Sequence, residues 1–382
     1  MERPPFTIVF AGGGSGGHVY PTLAVFEALI KRFSEIGLRF RAIRMGPRDG
    51  YDPLFANHGA IIAPIAAGKV RRYASLANLI DIPKFFIGFL QALWKLYFIM
   101  PEVIFSKGGV GALPVVVAGW FYRIPVVLHE SDAQPGVNNL TSARFAKKVF
   151  VSFERAAKFF DAKKVAVVGT PLRTELFAER TAKPLAKETL GFDASSPLTL
   201  VLGGSQGSSR INNFILTQAQ DMLAATQILH QTGVANLAEV QKLAHAATFD
   251  ESFKTRYQAV GYFLNNGRDT MGLALAAADL VIARAGSGSI AEISAFGIPA
   301  ILIPLAESAN DHQRINAYEF AKGGGAVVIE EANLLPGIFM GEIKKFFGDE
   351  AVRAKMSEAS AKFFIPGAAE AIAQELIAQG TG

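Results

Sequence analysis

The sequence lacks several features that would assign it to a particular class of protein. None of its 382 residues is cysteine, which excludes disulfide bonds and thiolate metal sites. The P-loop pattern G-x-x-x-x-G-K-[ST] does not occur, which argues against a nucleoside triphosphatase. Only 19% of the residues are charged and 50% are hydrophobic, so we expect folded cores rather than disorder. At this length, two domains are the natural expectation.

The N-terminal segment also lacks the pattern of a signal peptide. A short strand-like segment, Phe6–Ala11, follows almost at once and leads into glycines, so we expect the protein to be cytoplasmic. The net charge of +5 indicates an anionic partner. Nucleic acid, an anionic membrane surface and a phosphorylated substrate all fit, and composition does not choose among them.

Short apolar segments alternate with helical segments along the whole chain. The apolar segments are continuous rather than alternating, which indicates parallel sheets covered by helices on both faces, and hence an α/β fold. The predicted strands are residues 7–11, 38–43, 61–65, 103–105, 126–129, 148–151, 165–168, 198–202, 228–231, 257–260, 280–283, 300–303 and 326–329.

A domain boundary is expected between Thr170 and Pro197, where the chain is rich in proline and charge. We predict a first domain over 1–172 and a second over 173–365, with a C-terminal helix over about 366–382 that packs back on the first. Both would be doubly wound, Rossmann-like domains that face each other across a cleft. Ligands of such sheets bind at the carboxyl ends of the strands.

Three glycine-rich segments each follow a predicted strand and precede a predicted helix. They are GGGSGGH at 12–18 (loop 1), GGSQGS at 203–208 (loop 2) and RAGSGS at 284–289 (loop 3). Glycine allows sharp turns and close approach to a ligand, and a helix N-terminus attracts anions. Each loop alone fits an ordinary tight turn as well, but the set of three indicates binding of a nucleotide or diphosphate.

Loop 1 also contains G-x-G-x-x-G, at Gly12, Gly14 and Gly17, as dinucleotide-binding domains do. The acidic residue expected at the end of the second strand is missing, since residues 42–45 read AIRM, which disfavours an NAD-dependent oxidoreductase. His18 closes the loop at the predicted helix start. A histidine there serves as a capping or packing residue in many proteins, but next to a phosphate loop it is also a candidate general base.

These segments resemble the motifs of the MurG family of UDP-GlcNAc-dependent N-acetylglucosaminyltransferases. Further matching motifs are KGGVG at 107–111, PVVLHE at 125–130, GTPLR at 169–173, HQTG at 230–233 and DHQRINA at 311–317, in family order over nearly the whole chain. The resemblance implies a GT-B fold and no obligatory metal or other cofactor. It implies inverting transfer of GlcNAc from UDP-GlcNAc to the C4 hydroxyl of MurNAc in lipid I, giving lipid II, the last cytoplasmic step of peptidoglycan precursor synthesis.

The resemblance also implies roles for individual residues. His18 would be the general base, Glu292 would bind the ribose hydroxyls, and Gln313 would bind the GlcNAc hydroxyls. From the residue alone, Glu292 is equally explained as a carboxylate favoured by a helix dipole. The residues expected to bind the donor are Ser15, Gly16, Gly17, Asp132, Arg173, Ser205, Gln206, Leu264, Ser287, Gly288, Ser289, Ile290, Ala291, Glu292 and Gln313.

Two departures from the family pattern bear on specificity. Ser15 stands where the family has threonine, which preserves the hydroxyl. Asp132 stands where the family has an asparagine that touches the donor sugar, and an ionised carboxylate accepts hydrogen bonds but donates none. This keeps open a related transferase with another UDP-sugar or lipid acceptor. A non-catalytic partner that docks lipid is a further alternative.

A basic and aromatic region suggests a membrane surface. Lys69, Arg71 and Arg72 precede a stretch that includes Phe85, Phe86, Phe89 and Trp94. A transmembrane helix is disfavoured by the lysines within the stretch, whereas a buried core helix and an interfacial surface both fit. The resemblance favours the interfacial surface, because an undecaprenyl-linked acceptor is reached at the bilayer. It thus implies a peripheral protein on the cytoplasmic face of the membrane, with no nucleic acid partner.

Overall fold

The computed structural model describes residues 4–68, 77–178, 181–204, 207–246, 255–263 and 270–381. The chain divides into two compact units. The N-terminal unit comprises Met1–Arg173 and Ile365–Gly382, and the C-terminal unit comprises Thr174–Phe364.

All thirteen predicted strands are confirmed, and their ends differ from the prediction by about three residues at most. The strands are β1 (Phe6–Ala11), β2 (Phe40–Gly46), β3 (Ile61–Pro64), β4 (Val103–Ser106), β5 (Val126–Glu130), β6 (Lys148–Val151), β7 (Val165–Val167), β8 (Leu198–Leu202), β9 (Gln227–Gln231), β10 (Tyr257–Val260), β11 (Leu280–Ala283), β12 (Ala300–Leu302) and β13 (Ala326–Val328). The α-helices are α1 (Gly16–Glu35), α2 (Asp52–Asn57), α3 (Ala77–Ile99), α4 (Ala112–Phe121), α5 (Val137–Ser142), α6 (Glu154–Ala157), α7 (Glu175–Ala178), α8 (Lys183–Thr189), α9 (Ser209–Leu223), α10 (Leu237–Ala246), α11 (Met271–Ala277), α12 (Ser287–Ala295), α13 (His312–Lys322), α14 (Pro336–Gly348), α15 (Glu350–Phe363) and α16 (Ala368–Thr381).

The N-terminal unit is built on one parallel sheet with the strand order β3-β2-β1-β4-β5-β6-β7. Its central strands β4 and β5 are buried along their whole length, which explains why their sequences are continuously apolar. The C-terminal helix α16 packs against α1, so the end of the chain completes the core of this unit. Members of that core are Phe10, Phe26, Leu29, Phe105, Val127, Ile372 and Leu376.

The C-terminal unit has a second parallel sheet with the order β10-β9-β8-β11-β12-β13. Strands β8, β11 and β12 are buried throughout. Helices α9 and α14 pack together on this sheet. Members of the core between them are Val201, Ile211, Ile215, Ile282, Ile301, Phe339 and Ile343.

Each sheet has a switch point, where strand order reverses, between β1 and β4 in one unit and between β8 and β11 in the other. Ligands of open α/β sheets bind at such points, outside the carboxyl ends of the strands. Loop 1 follows β1 and residues 107–111 follow β4, whereas loops 2 and 3 follow β8 and β11. The glycine-rich segments therefore occupy both switch points.

In the described parts of the chain, no helix has the length and apolar character that are needed to cross a bilayer.

Candidate functional site

Loop 1 leads from β1 into α1, and His18 lies in the first turn of that helix. Gly12 and Gly14 have φ angles of 102° and 118°, which residues with a side chain rarely adopt. The imidazole of His18 packs on Gly109 of the loop after β4, where a β-carbon would lie 3.1 Å from its Cδ2 atom. Glycines of two neighbouring loops therefore determine where His18 lies.

The predicted donor-binding residues of loop 1 are accessible to different degrees. Ser15 and Gly17 are exposed, while Gly16 is half-buried. Ser15 is the N-cap residue of α1, but its side chain makes no capping hydrogen bond. The N–H of Gly16 donates a hydrogen bond to the hydroxyl of Tyr51, a residue that follows β2. Part of the loop is thus bonded within the unit.

An ion-paired cluster after β2 supports the same loop. Asp49 accepts a hydrogen bond from the N–H of Gly14 at 3.1 Å, and its Oδ2 atom lies 2.6 Å from Nη2 of Arg44. Arg44 is buried, pairs with Asp52 as well, and lies over the ring of Phe55. The carboxylate after the second strand is therefore bonded to the glycine loop and an arginine, whereas a dinucleotide site presents its carboxylate to the ribose.

A buried polar cluster lies at the carboxyl ends of β4 and β5. The ammonium group of Lys107 donates a hydrogen bond to the hydroxyl of Ser131. Glu130 accepts hydrogen bonds from the N–H of Asp132 at 2.9 Å and from the side-chain amide of Asn139 at 2.9 Å. Asp132, the departure from the family pattern, is thus half-buried in a segment that buried charges hold in place.

Burial changes the proton affinities in this cluster. It lowers the pKa of Lys107, although Glu130 and Asp132 oppose the change. It raises the pKa of Glu130, and repulsion from Asp132 adds to the effect. Burial, with repulsion from Lys107, also lowers the pKa of His129 well below 6.5, and its Nε2 atom lies 3.0 Å from the carbonyl oxygen of Gly169. His129 is therefore neutral at physiological pH.

Arg173 ends the N-terminal unit and is buried. Its guanidinium lies 4.4 Å from the ring centroid of Tyr20, within the range of a cation–π contact. Tyr20 in turn meets the ring of Tyr51 edge-on, with ring centroids 6.1 Å apart. The first turns of α1 thus hold an arginine that is expected to bind the donor.

In the C-terminal unit, Arg284 joins loops 2 and 3. It stands at the start of loop 3, and its Nη2 atom donates to the hydroxyl of Ser208 in loop 2 at 2.9 Å. Ser208 also caps α9 by accepting from the N–H of Ile211. The buried carboxylate of Glu331 lies 2.5 Å from Nη1 of Arg284 and 3.1 Å from Arg210. Arg284 therefore joins the end of loop 2, at Ser208, to the start of loop 3, and it is itself paired with the buried carboxylate of Glu331.

Helix α12 begins at Ser287, directly after Gly286. Gly286 has an extended backbone and provides no side-chain cap. Ser287, Ile290 and Ala291 are buried, whereas Gly288, Ser289 and Glu292 are half-buried and share one face of the helix. Glu292 thus lies just beyond the first turn of a helix whose N-cap residue, Gly286, makes no side-chain cap.

Gln313 lies in the first turn of α13, after β12. Its Oε1 atom accepts a hydrogen bond from the backbone N–H of Leu305 at 3.0 Å, and its own N–H donates to Ser308 at 3.3 Å. Asn316, one turn later, donates to the carbonyl oxygen of Ala285 in loop 3. The side chain of Gln313 is therefore oriented by a hydrogen bond from the backbone of Leu305.

Six of the predicted residues are not among the residues that the structure describes. They are Ser205, Gln206, Leu264, Lys69, Arg71 and Arg72.

An exposed apolar surface covers one side of α3 and the end of α4; we call it the aromatic face. Of the predicted residues, Phe86 and Trp94 are exposed, at 59% and 69%, whereas Phe85 and Phe89 are half-buried. At 100° per residue, positions 86, 90, 94 and 97 lie opposite the buried positions 88, 92 and 96. The members of the aromatic face are Phe86, Leu90, Trp94, Tyr97, Phe98, Trp120 and Phe121.

Ring contacts extend across the aromatic face. Trp94 contacts Phe98 within α3, Tyr97 of α3 contacts Tyr122 directly after α4, and Trp120 of α4 contacts Phe145 after α5. Exposed basic residues adjoin these rings in sequence, namely Lys84, Arg123, Arg144 and Lys147. Helix α3 thus has one side that faces the core and an opposite, exposed apolar side with basic residues nearby in sequence.

The sequence analysis missed three charged residues that support the loops, namely the buried Arg44 and Glu331 and the half-buried Asp49. Asp49 and Arg44 lie five residues apart and act on a loop 35 residues away, so no local pattern marks them. Glu331 could have been expected in one respect: Arg284 directly follows a buried strand, and an arginine in such a place needs a carboxylate partner.

Comparison with known proteins places both units in one family. Residues 8–151 match the glycosyltransferase family 28 N-terminal domain, and residues 198–372 match the glycosyltransferase family 28 C-terminal domain. A Bacillus cereus UDP-N-acetylglucosamine–N-acetylmuramyl-(pentapeptide) pyrophosphoryl-undecaprenol N-acetylglucosamine transferase is 35% identical over 364 residues, covering 91% of this chain and 97% of the relative. A Caldicellulosiruptor saccharolyticus transferase of the same description is 33% identical over 376 residues, covering 97% of each chain.

Among solved structures, Acinetobacter baumannii MurG is similar at a TM-score of 0.74 and 21% identity, covering 98% of this chain and 100% of that one. This likeness confirms the predicted GT-B fold class. By these domain matches and these relatives, the chain belongs to glycosyltransferase family 28 and, within it, to the MurG family that its motifs resemble.

Proposed function

We propose that this protein transfers GlcNAc from UDP-GlcNAc to the C4 hydroxyl of MurNAc in the undecaprenyl-linked acceptor lipid I, giving lipid II. The observation that carries the proposal is the switch point of the C-terminal unit, where Arg284 ties loops 2 and 3 together beside an α12 N-terminus that its N-cap residue leaves uncovered. The names of the relatives supply the donor and the acceptor.

The C-terminal unit is assigned the UDP moiety. Backbone amides in the first turn of α12 would bind the diphosphate, because a helix N-terminus without a side-chain cap and the helix dipole favour an anion there. Glu292 in the same helix would accept hydrogen bonds from two ribose hydroxyls. Gln313, whose Oε1 atom accepts from the backbone of Leu305, would donate its amide NH₂ to a GlcNAc hydroxyl. Ser205, Gln206 and Leu264 complete this set in the proposal.

The N-terminal unit is assigned the acceptor side. His18 would take the proton from the C4 hydroxyl as that oxygen attacks the anomeric carbon, so the configuration inverts and the bond to UDP breaks. Arg173 would stabilise the negative charge that develops on the departing UDP. Ser15, Gly16, Gly17 and Asp132 would border the transferred sugar. These groups carry the charge without a metal, so we expect turnover to persist in the presence of a chelator.

The aromatic face is assigned the membrane. Its residues present amphipathic rings, with Arg123, Arg144 and Lys147 close by in sequence, which suits the headgroup region of an anionic bilayer. Lys69, Arg71 and Arg72 would add to the attraction. The protein would then reach a lipid-linked acceptor as a peripheral protein on the cytoplasmic face.

The transfer proposal is tested by incubating the protein with labelled UDP-GlcNAc and a lipid I analogue, and by following the lipid product and UDP release. UDP-glucose and UDP-GalNAc serve as donor controls, because Asp132 replaces the family's amide. Label must enter the lipid fraction from UDP-GlcNAc in preference to the other two. Release of UDP without lipid product, or preference for another donor, would contradict the proposal.

The membrane proposal is tested by sedimentation with vesicles that contain phosphatidylglycerol. The double variant L90S/W94S should bind about tenfold more weakly or worse, since each exposed large apolar side chain contributes about 1.5–3 kcal/mol when it enters an apolar phase. Leu38, which is 50% exposed outside this surface, gives the matched control L38S. Equal binding of all three proteins would show that another surface meets the membrane.

A further inference from the structure

We propose that Asp49, held in place by Arg44, is a positioning residue for the proposed transfer: its carboxylate fixes loop 1 by taking the N–H of Gly14, and it thereby orients His18. The inference rests on the proposed function for its catalytic consequence, but its structural part is independent. Neither residue belongs to a motif on which the family resemblance depends.

Three contacts place the Asp49 carboxylate. Oδ2 accepts from the N–H of Gly14 at 3.1 Å and lies 2.6 Å from Nη2 of Arg44, while Oδ1 accepts from the N–H of Tyr51 at 2.9 Å. The Asp49 side chain is only 15% exposed, so both oxygens are held in a site largely closed to solvent. Hydrogen bonds to a charged group are stronger than those between neutral groups.

Arg44 is itself fixed from three sides. Its side chain is 3% exposed, pairs with Asp49 and Asp52, and stacks over the ring of Phe55 at 5.1 Å. A β-carbon on Gly13 would lie 2.7 Å from Oδ2 of Asp49 and 2.8 Å from Nη2 of Arg44. Loop 1 therefore lies directly on the ion pair, with no room for a side chain between them.

The far side of loop 1 carries His18. A β-carbon on Gly109 would clash with the carbonyl oxygen of Gly13 and approach the His18 ring, so the loop is held between the ion pair and the loop after β4. The hydroxyl of Tyr51 takes a second amide, that of Gly16, and burial raises the pKa of this phenol, which keeps it neutral. With Gly14 and Gly16 bonded internally, loop 1 functions as a rigid support for His18, and these two amides are not offered to a substrate phosphate.

The test compares D49A and D49N with the control D161A. Asp161 also accepts a backbone N–H, that of Lys163 at 2.9 Å, but it is exposed and remote from loop 1 in sequence. Hydrogen exchange of peptides covering residues 12–18 is measured first and needs no activity. We expect exchange in D49A to be at least about tenfold faster, and D49N to lie between it and the wild type, because an amide oxygen still accepts from Gly14.

Transfer kinetics are then measured, with active protein counted by UDP binding in calorimetry. We expect D49A to lower kcat by about tenfold to a hundredfold, as a misplacement of about 1 Å can do, with KM for UDP-GlcNAc changed by less than about twofold. D49N should recover part of the loss, and D161A should match the wild type. Unchanged exchange, or unchanged kcat in D49A with the wild type active, would overturn the inference. If the wild type shows no transfer, the proposed function is refuted instead. The hydrogen-exchange result then still tests whether Asp49 supports loop 1.

Discussion

Loops 1 and 3 follow the same pattern of strand, glycine turn and helix, and both lie at a switch point, yet their amides are used differently. In loop 1, Asp49 takes the N–H of Gly14 and Tyr51 takes that of Gly16. In loop 3, helix α12 begins at Ser287, and its N-cap residue, Gly286, makes no side-chain cap. The turn of loop 1 is thus bonded within its own unit, whereas our proposal assigns an anionic ligand to the helix N-terminus in loop 3.

The difference shows that a glycine-rich turn before a helix is not sufficient evidence of a phosphate site. What matters is whether the surrounding unit already supplies an acceptor for the backbone amides of the turn. The free N–H groups and the dipole at a helix N-terminus favour any nearby anion, whether it belongs to the chain or to a ligand. In loop 1 a carboxylate of the chain, that of Asp49, takes the N–H of Gly14 just before the helix, and we propose that the turn thereby supports His18. In loop 3, the proposal assigns that position to an anionic ligand.

The largest effect is expected from loop 1, through His18. H18A should lower kcat by about two to four powers of ten if the imidazole is the general base, while the Kd for UDP stays within about twofold. Transfer assays and calorimetry on the same preparations measure the two quantities. H58Q in the same unit serves as the control. Near-normal turnover in H18A would mean that His18 only packs against its neighbours. A large rise in the Kd for UDP would mean that loop 1 also binds UDP, contrary to the roles proposed for the two loops.

The next effect is expected when loop 3 is given the carboxylate that loop 1 has. Gly286 has φ −65° and ψ 141°, which any residue can adopt, and a β-carbon there meets nothing within 4 Å. G286D should cap α12, stabilise it by about 1 kcal/mol, and weaken UDP binding by about tenfold or more, because the new anion competes with the diphosphate.

The control for that change is G286A, which adds the β-carbon without the charge. Thermal unfolding measures the stabilisation, and calorimetry measures the Kd for UDP. If G286D bound UDP as well as G286A does, the N-terminus of α12 would not be the diphosphate site.

Sequence reasoning was sufficient for the strands because the central strands of both sheets are buried on both faces, so they read as continuous apolar segments. It could not decide the environment of α3, whose apolar residues lie on more than one side: the structure buries Ala92 and Leu96 and exposes Leu90 and Trp94 on the opposite side. Such a helix has no periodicity that separates its buried side from its exposed side.

The support of the site was beyond sequence reasoning for a different reason. The missing acid at the end of β2 was a correct observation at residues 42–45, but a carboxylate further along the chain, Asp49, is bonded to loop 1. Similarly, Glu331 holds Arg284 from 47 positions away along the chain, and only the meeting of β11 with its neighbours brings the two together. Long-range ion pairs leave no local pattern.

A third effect concerns a buried histidine of the C-terminal unit. His230 is buried at the end of β9 and its ring lies 3.1 Å from Asn212 of α9, and burial lowers its pKa from 6.5 to about 3. The unfolded chain binds a proton near pH 6.5 where the folded chain does not, so stability present above pH 6.5 is lost as the pH falls. The loss between pH 7 and pH 5 should be about 2 kcal/mol.

Urea unfolding followed by far-UV circular dichroism at pH 7 and pH 5 measures this loss. H230Q should remove about 2 kcal/mol of the pH dependence, whereas H245Q, at an exposed histidine of the same unit, should leave it as in the wild type. An identical pH dependence in H230Q would mean that His230 is not held neutral in the folded state.

The smallest effect is expected from a change at Glu292 of α12. It tests whether this helix, which follows loop 3, binds a ribose. E292Q should raise the Kd for UDP by about tenfold, because a charged acceptor of two hydroxyl hydrogen bonds becomes a neutral one. E239Q, at an exposed glutamate in the first turn of α10, is the matched control. Calorimetry with UDP and with 2′-deoxy-UDP decides the point: the deoxy ligand has lost one of the two hydroxyls, so E292Q should weaken its binding less than that of UDP. Equal losses for both ligands, or none, would leave Glu292 as a carboxylate that the helix dipole favours, and the ribose would have to be bound elsewhere.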